Sequence, residues 1–110
     1  MCRALKVLCA APADRLAELK QAAVSASWEL VGGAATAEEV ATEVAAERPD
    51  VVVIDEALTG VAVAKARRAH RTVRVVGVGS LPGVDASVQD LAGLREAILG
   101  LQRPGGPVSV

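Results

Sequence analysis

Asp50-Val51-Val52-Val53-Ile54-Asp55 is the stretch of this sequence that decides the fold. Four β-branched residues in a row, with no polar side chain among them, predict a strand that is covered on both faces. Strands of this kind belong to α/β sheets, whose functional crevice lies at the carboxyl ends of the strands. Asp55, the first carboxylate after the run, is therefore the leading candidate for a site residue.

Strand and helix patterns alternate on either side of this stretch. The apolar runs predict strands over residues 3–9, 28–34, 50–55, 73–78 and 86–89. Apolar residues at helical spacing predict a helix over 14–24, a helix capped by Thr36 and ended by Pro49, a helix that begins at Thr59 or Gly60, and a last helix through Leu91 and Leu101. This alternation predicts a parallel five-stranded sheet with helices on both faces.

The connection between the last two strands departs from the pattern. Only Leu81-Pro82-Gly83-Val84 stands where a crossover between parallel strands usually needs about a dozen residues. We therefore expect the fourth helix to be shortened or absent. Gly77 and Gly79, at the end of the preceding strand, indicate that other atoms approach the backbone closely there.

Length and composition limit the possibilities further. The chain has 110 residues, enough for one domain, which we place at 1–102, with a flexible tail or truncated linker at 103–110. Its net charge is −1 and Trp28 is its only aromatic residue, which argues against direct nucleic-acid or membrane binding. Without a signal peptide or an apolar run of bilayer length, we expect a cytoplasmic protein. Cys2 and Cys9 form no metal-binding pattern, so we expect no zinc site and interpret Cys9 as a buried apolar residue.

The stretch from Arg48 to Asp55, followed by Leu58 and Gly60, resembles the third strand of bacterial response-regulator receiver domains of two-component signalling. The resemblance covers residues 3–102. It implies a flavodoxin-like (βα)5 fold, α/β, doubly wound around a parallel sheet, with Asp55 at the position of the phosphoacceptor.

Receivers surround that aspartate with helper residues that hold Mg²⁺ and neutralise the phosphoryl group. The resemblance places Ala10 and Ala11 where receivers carry an acidic pair, Gly79 where they carry a hydroxyl residue, and Asp90 where they carry a lysine. Ser80, one residue further on, could supply the hydroxyl after a slip, and Glu56 and Ala57 complete the lining. Because phosphoryl transfer depends on positive charge around the developing oxyanions, we interpret Asp55 as a vestigial acceptor and expect weak or absent Mg²⁺ binding and no other cofactor.

Three functions follow from this interpretation. We expect a degenerate receiver, a pseudo-receiver that works as a phosphorylation-independent signalling or protein-interaction module and not as an enzyme. A phosphoacceptor with an unusual site at Asp55 and a small nucleotide- or ligand-binding α/β domain are the alternatives. Gly32-Gly33 is only a weak match to a phosphate-binding loop, which lowers the expectation for the last of these.

Two surfaces are candidates for a partner. The shortened Leu81–Val84 connection should expose part of the sheet, including Val76 and Val78, unless another element or chain covers it, so we predict a protein partner or a homodimer there. A local concentration of positive charge is the second candidate, and we interpret it as a solvated face, ahead of protein docking and DNA binding. It consists of Lys65, Arg67, Arg68, His70, Arg71 and Arg74.

Overall fold

The computed structural model describes residues 5–102, and for Gln102 the backbone only. The predicted tail at 103–110 and Cys2 lie outside the described residues. Five parallel strands form one sheet: β1 (Leu5–Ala10), β2 (Trp28–Leu30), β3 (Val51–Asp55), β4 (Arg74–Val78) and β5 (Ala86–Val88). Their spatial order is β2-β1-β3-β4-β5. This is the flavodoxin-like order of a doubly wound sheet.

Four α-helices accompany the strands within residues 5–102: α1 (Ala13–Ala23), α2 (Ala37–Glu47), α3 (Thr59–Ala69) and α4 (Leu94–Gln102). Short 3₁₀ helices at Glu56–Leu58 and Leu91–Gly93 precede the last two. No α-helix joins β4 to β5. The predicted flavodoxin-like fold and the loss of its fourth helix are confirmed.

The sheet separates two apolar layers, as the unbroken apolar run of β3 predicts. Side chains that alternate along β3 enter opposite layers, Val52 and Ile54 on one side and Val51 and Val53 on the other. The first layer packs against α2 and α3, and the second against α1 and α4. None of the helices within residues 5–102 is long and apolar enough to cross a membrane.

Local sequence signals place most helix ends. The Thr36 hydroxyl accepts the Glu39 backbone N–H at 3.1 Å, which is one half of the predicted capping box. The Glu39 carboxylate accepts the N–H of Ala35 at 2.7 Å, one residue before the expected donor, Thr36. The predicted second strand at 28–34 is too long, because Gly32 has a φ of 58° and interrupts it after Leu30. The chain rejoins the sheet only at Ala34, through a bridge to Ala10.

The short connection between β4 and β5 lies on the α3 side of the sheet. A side chain at Gly77 would meet Leu81 and Val84 atoms at 3.1–3.3 Å, so these two residues occupy the space above the bare glycine backbone. The connection therefore needs no helix to cover β4, and the close approach predicted at Gly77 is confirmed.

Polar contacts hold the same connection in place. Asp85 Oδ2 accepts the Val75 N–H at 2.8 Å and pairs with the Arg67 guanidinium at 3.1 Å. Arg67 also donates to the Gly83 carbonyl at 2.6 Å and to the Val73 carbonyl at 3.3 Å. Arg67, which the sequence places in the basic run, is thus a structural residue of the loop.

The expected exposure of Val76 and Val78 is wrong. Both are buried, because their side chains belong to the layer on the α1 and α4 side of the sheet, opposite to the short connection. On the β5 surface Ser87 is exposed instead. A partner at this connection stays a prediction, but apolar side chains of β4 do not provide its surface.

Candidate functional site at the carboxyl end of β3

Asp55 ends β3 as a buried carboxylate, with 3% of its surface exposed. Its Oδ2 accepts the Ala57 backbone N–H at 2.9 Å and so caps the following 3₁₀ helix. Its Oδ1 lies 3.3 Å from a guanidinium nitrogen of Arg15. Both carboxylate oxygens therefore have partners from the chain itself.

Arg15 reaches this position from the first turn of α1. Pro12 stands directly before the helix, and its carbonyl accepts the N–H groups of Arg15 and Leu16. Burial of Leu19 and Ala23 fixes the face that α1 turns to the sheet. The Arg15 side chain covers Asp55 on one side, and about half of its own surface (49%) is exposed to solvent.

Glu56 joins the end of β3 to the end of β4. Its carboxylate accepts the Ser80 backbone N–H at 2.9 Å. Gly79 has a φ of +94°, a conformation that favours glycine, and a Cβ there would lie 2.5 Å from the Glu56 carboxylate, which would have to move aside. The predicted site residues Asp55, Glu56, Ala57, Gly79 and Ser80 thus lie on two adjoining loops.

Two buried methyl groups stand where the resemblance predicts the acidic pair of a receiver. Ala10 ends β1 and Ala11 follows it, and both are fully buried. The Ala11 N–H donates to the Ala34 carbonyl at 3.0 Å, which fixes the backbone at the point where metal ligands would begin. Their side chains supply no oxygen to this end of the sheet.

Asp90 shares no hydrogen-bond partner with Asp55. It is exposed, and its Oδ1 accepts the Ala92 N–H at 3.0 Å as the cap of the 3₁₀ helix before α4. Capping gives this carboxylate a local structural role. It brings negative charge, where the resemblance leads one to expect a lysine.

The donor set around Asp55 does not fit Mg²⁺, the metal that the receiver fold implies. Mg²⁺ prefers six oxygen ligands in near-octahedral geometry, with carboxylates among them. Here one buried carboxylate is already bonded on both oxygens, and one of its partners is the cation of Arg15. Across residues 5–102, no cluster of three or more His, Cys, Asp or Glu side chains could hold a metal ion.

Cys9 lies in β1, next to the site, as the buried residue that the sequence predicts. Burial raises the pKa of its thiol to about 12, against a smaller opposing effect of Lys20. Since the thiolate is the reactive form, this thiol is unreactive near neutral pH.

Arg15 is the residue of the site that the sequence reasoning did not identify. The resemblance predicts an acidic pair after the first strand, and Asp14 is the only acid near that strand end. Asp14 is exposed in the first turn of α1, where it complements the helix dipole. The sequence does contain a signal for Arg15. It follows the end of β1, and a cation there lies at the same edge of the sheet as a carboxylate that ends the neighbouring strand.

Comparisons with known proteins give a fold and no close relative. No model of a protein family matches the sequence, and no curated protein matches it. Among solved structures, the signal receiver domain described as that of the response regulator NarL from Mycobacterium tuberculosis superposes with a TM-score of 0.71. At 19% identity, the match covers 89% of this chain and 95% of that one.

The response regulator domain of Thermotoga maritima CheB is a second similar structure. It superposes with a TM-score of 0.67 at 13% identity, over 88% of this chain and 92% of that one. Both matches span nearly the whole of the described domain. Together with the strand order, they show that this chain has the fold of a response-regulator receiver domain.

Proposed function

We propose that this chain is a receiver-like signalling module that works by binding a protein partner and does not transfer a phosphoryl group to Asp55. The observation that carries the proposal is the bonding of Asp55, whose two oxygens are engaged by Ala57 and Arg15. Attack on a phosphodonor would require one of these oxygens to leave its partner while the carboxylate is buried.

The charges around the site support the same conclusion. Phosphoryl transfer spreads negative charge over three oxygens, and catalysis consists largely of positioned positive charge. Arg15 is the one cation paired with Asp55 among the described residues, and Ala10, Ala11 and Asp90 supply neither metal ligands nor an ammonium group. The negative charge of Glu56, whose carboxylate bonds the Ser80 N–H beside the site, would oppose an incoming phosphodonor.

Signalling without phosphorylation leaves binding as the means of action. The surface that differs most from a complete receiver fold is the short connection from Leu81 to Val84 together with β5. Pro82 and Ser87 are exposed on it, and Pro82 lies beside Gly60 of α3. We propose this α3–β5 face as the docking surface for a protein partner.

Intact mass measurement after incubation with a small acyl-phosphate donor and Mg²⁺ tests the proposal. A conventional receiver domain treated in parallel serves as the positive control, and the Asp55→Asn variant reports phosphorylation at other residues. We expect the wild-type mass to stay unchanged while the control gains one phosphoryl group. A wild-type gain that is absent in Asp55→Asn contradicts the proposal.

A further inference from the structure

The amino-terminal edge of the sheet carries a second concave surface, at the end of the molecule opposite to Asp55. A cavity of about 310 Å³ opens where α2 and α3 end and before β4 begins. Arg48 closes α2 in a left-handed conformation, and the residues that follow α3 form the other wall. The cavity is lined by Arg48, Arg68, Ala69, His70, Arg71 and Thr72.

Three of these side chains are exposed arginines that have no partner among residues 5–102. The structure gives the guanidinium groups of Arg48, Arg68 and Arg71 no ion pair or hydrogen bond within residues 5–102. Arg67 makes the contrast clear, since it is the neighbour of Arg68 on the same helix and bonds two carbonyls and Asp85. The imidazole of His70 and the hydroxyl of Thr72 add further hydrogen-bonding groups.

Helix dipoles account for only part of this positive charge. The carboxyl ends of α2 and α3 both face the cavity, and cations there are favourable. Each helix end is equivalent to about half a negative charge, so two ends balance roughly one guanidinium. Asp50 lines the adjoining cavity of about 250 Å³, where its carboxylate accepts the Lys6 N–H at 2.9 Å. The part of the cavity wall formed by Arg48, Arg68 and Arg71 therefore keeps a net excess of positive charge.

The lining indicates the class of ligand. Guanidinium groups match the geometry of phosphate oxygens, and several of them around one concave surface suit a ligand with more than one phosphate. Ala69 is the only apolar residue of the lining, and the chain's single aromatic, Trp28, is buried elsewhere in β2. Neither a stacked base nor the apolar anchor of a protein partner has a place here. A volume near 300 Å³ is at the lower end for small-molecule pockets.

We propose that this cavity binds the phosphate groups of a small phosphorylated ligand, with pyrophosphate as the minimal form. The proposal is independent of the state of Asp55. It assigns Arg68 and Arg71 to direct contact with phosphate oxygens, and Arg48 to the opposite wall.

Titration with inorganic pyrophosphate tests this assignment, by calorimetry and by two-dimensional amide spectra at constant ionic strength without Mg²⁺. We expect saturable binding to one site, with shifts centred on Arg48 and on residues 69–72. Arg68→Gln and Arg71→Gln should each raise the dissociation constant about five- to tenfold, as expected for loss of one charge-assisted contact. Lys20→Gln removes the same charge from α1, on the other sheet face, and should leave binding unchanged.

Three results would overturn the proposal. They are the absence of saturable binding, shifts centred on another part of the molecule, and an equal loss of affinity in Lys20→Gln and the two arginine variants. The last would mean that pyrophosphate responds only to net charge. Because the spectra of the wild-type protein locate the site by themselves, the test holds even if one variant folds poorly.

Discussion

Replacing Asp85 with alanine should destabilise the domain by about 2–3 kcal/mol, because this carboxylate holds the short connection between β4 and β5. Its Oδ2 accepts the N–H of Val75, a fully buried residue, at 2.8 Å. Loss of a hydrogen bond to a charged acceptor costs roughly 1.5–3 kcal/mol when the other partner stays buried. The ion pair with Arg67 adds about 0.5 kcal/mol or less, since both side chains are a third exposed.

Urea unfolding measures this change, with Trp28 as the reporter. Trp28 is the only aromatic residue and is buried, so its fluorescence responds to global unfolding. At roughly 4–8 °C for each kcal/mol, the melting temperature of Asp85→Ala should fall by about 8–24 °C. The Asp85→Ala and Arg67→Ala double-mutant cycle should give a coupling energy of about 0.5 kcal/mol.

Asp90→Ala is the matched control for Asp85→Ala. Asp90 also accepts one backbone N–H, at 3.0 Å, but that bond is exposed. Its loss should cost about 1 kcal/mol or less, as for other exposed capping residues. If Asp85→Ala destabilises the protein no more than Asp90→Ala, the carboxylate does not hold the connection and the reasoning is refuted.

Three further predictions concern the backbone and the core, and urea unfolding measures each of them. Gly79→Ala should lose about 2 kcal/mol of stability, because its φ of +94° is unfavourable for alanine and its Cβ would meet the Glu56 carboxylate. The control is Gly100→Ala, which has open space around it and should be neutral or stabilising by up to ~1 kcal/mol. Thr59→Gly should raise the free energy of unfolding by about 1 kcal/mol, because Thr59 has a φ of 67° and a ψ of 177°, a region that suits glycine almost alone. An unchanged midpoint of urea unfolding would argue against strain at Thr59. The raised pKa of Cys9 means that the unfolded chain releases this proton first, so stability should fall between pH 9 and pH 12, by about 1.4 kcal/mol at pH 10 relative to neutral pH. That loss should be missing in Cys9→Ala, and an identical pH profile in the two proteins would contradict the assignment.

Much of the fold could be predicted because local signals agreed with it. The β-branched run before Asp55 predicts a doubly covered strand, and the Thr36 hydroxyl caps α2 through the Glu39 N–H, as the spacing indicates. Gly77 and Gly79 marked two places of close approach, one by the short connection and one by Glu56. Most of these features depend on residues that lie near one another in the sequence, although Glu56, the neighbour of Gly79, follows a different strand.

Long-range pairings could not be predicted in the same way. Arg67 stands in a run of basic residues, and only the folded chain shows that it bonds residues 16 and 18 positions away. Val76 and Val78 alternate with their neighbours, but the sequence does not say which face the missing helix would have covered. The pairing of Arg15 with Asp55 likewise depends on how the first turn of α1 lies over the end of β3.

The central claim is that the chain itself satisfies Asp55 and leaves no place for Mg²⁺ and a phosphoryl group. Two-dimensional amide spectra of the wild-type protein, recorded before and after addition of Mg²⁺ and then of an acyl-phosphate donor, test it most directly. The N–H groups of Ala57 and Ser80 report on the carboxylates of Asp55 and Glu56, to which they donate. Both resonances should stay in place at millimolar Mg²⁺ and after the donor is added. Saturable movement of these resonances that is lost in Asp55→Asn would contradict it.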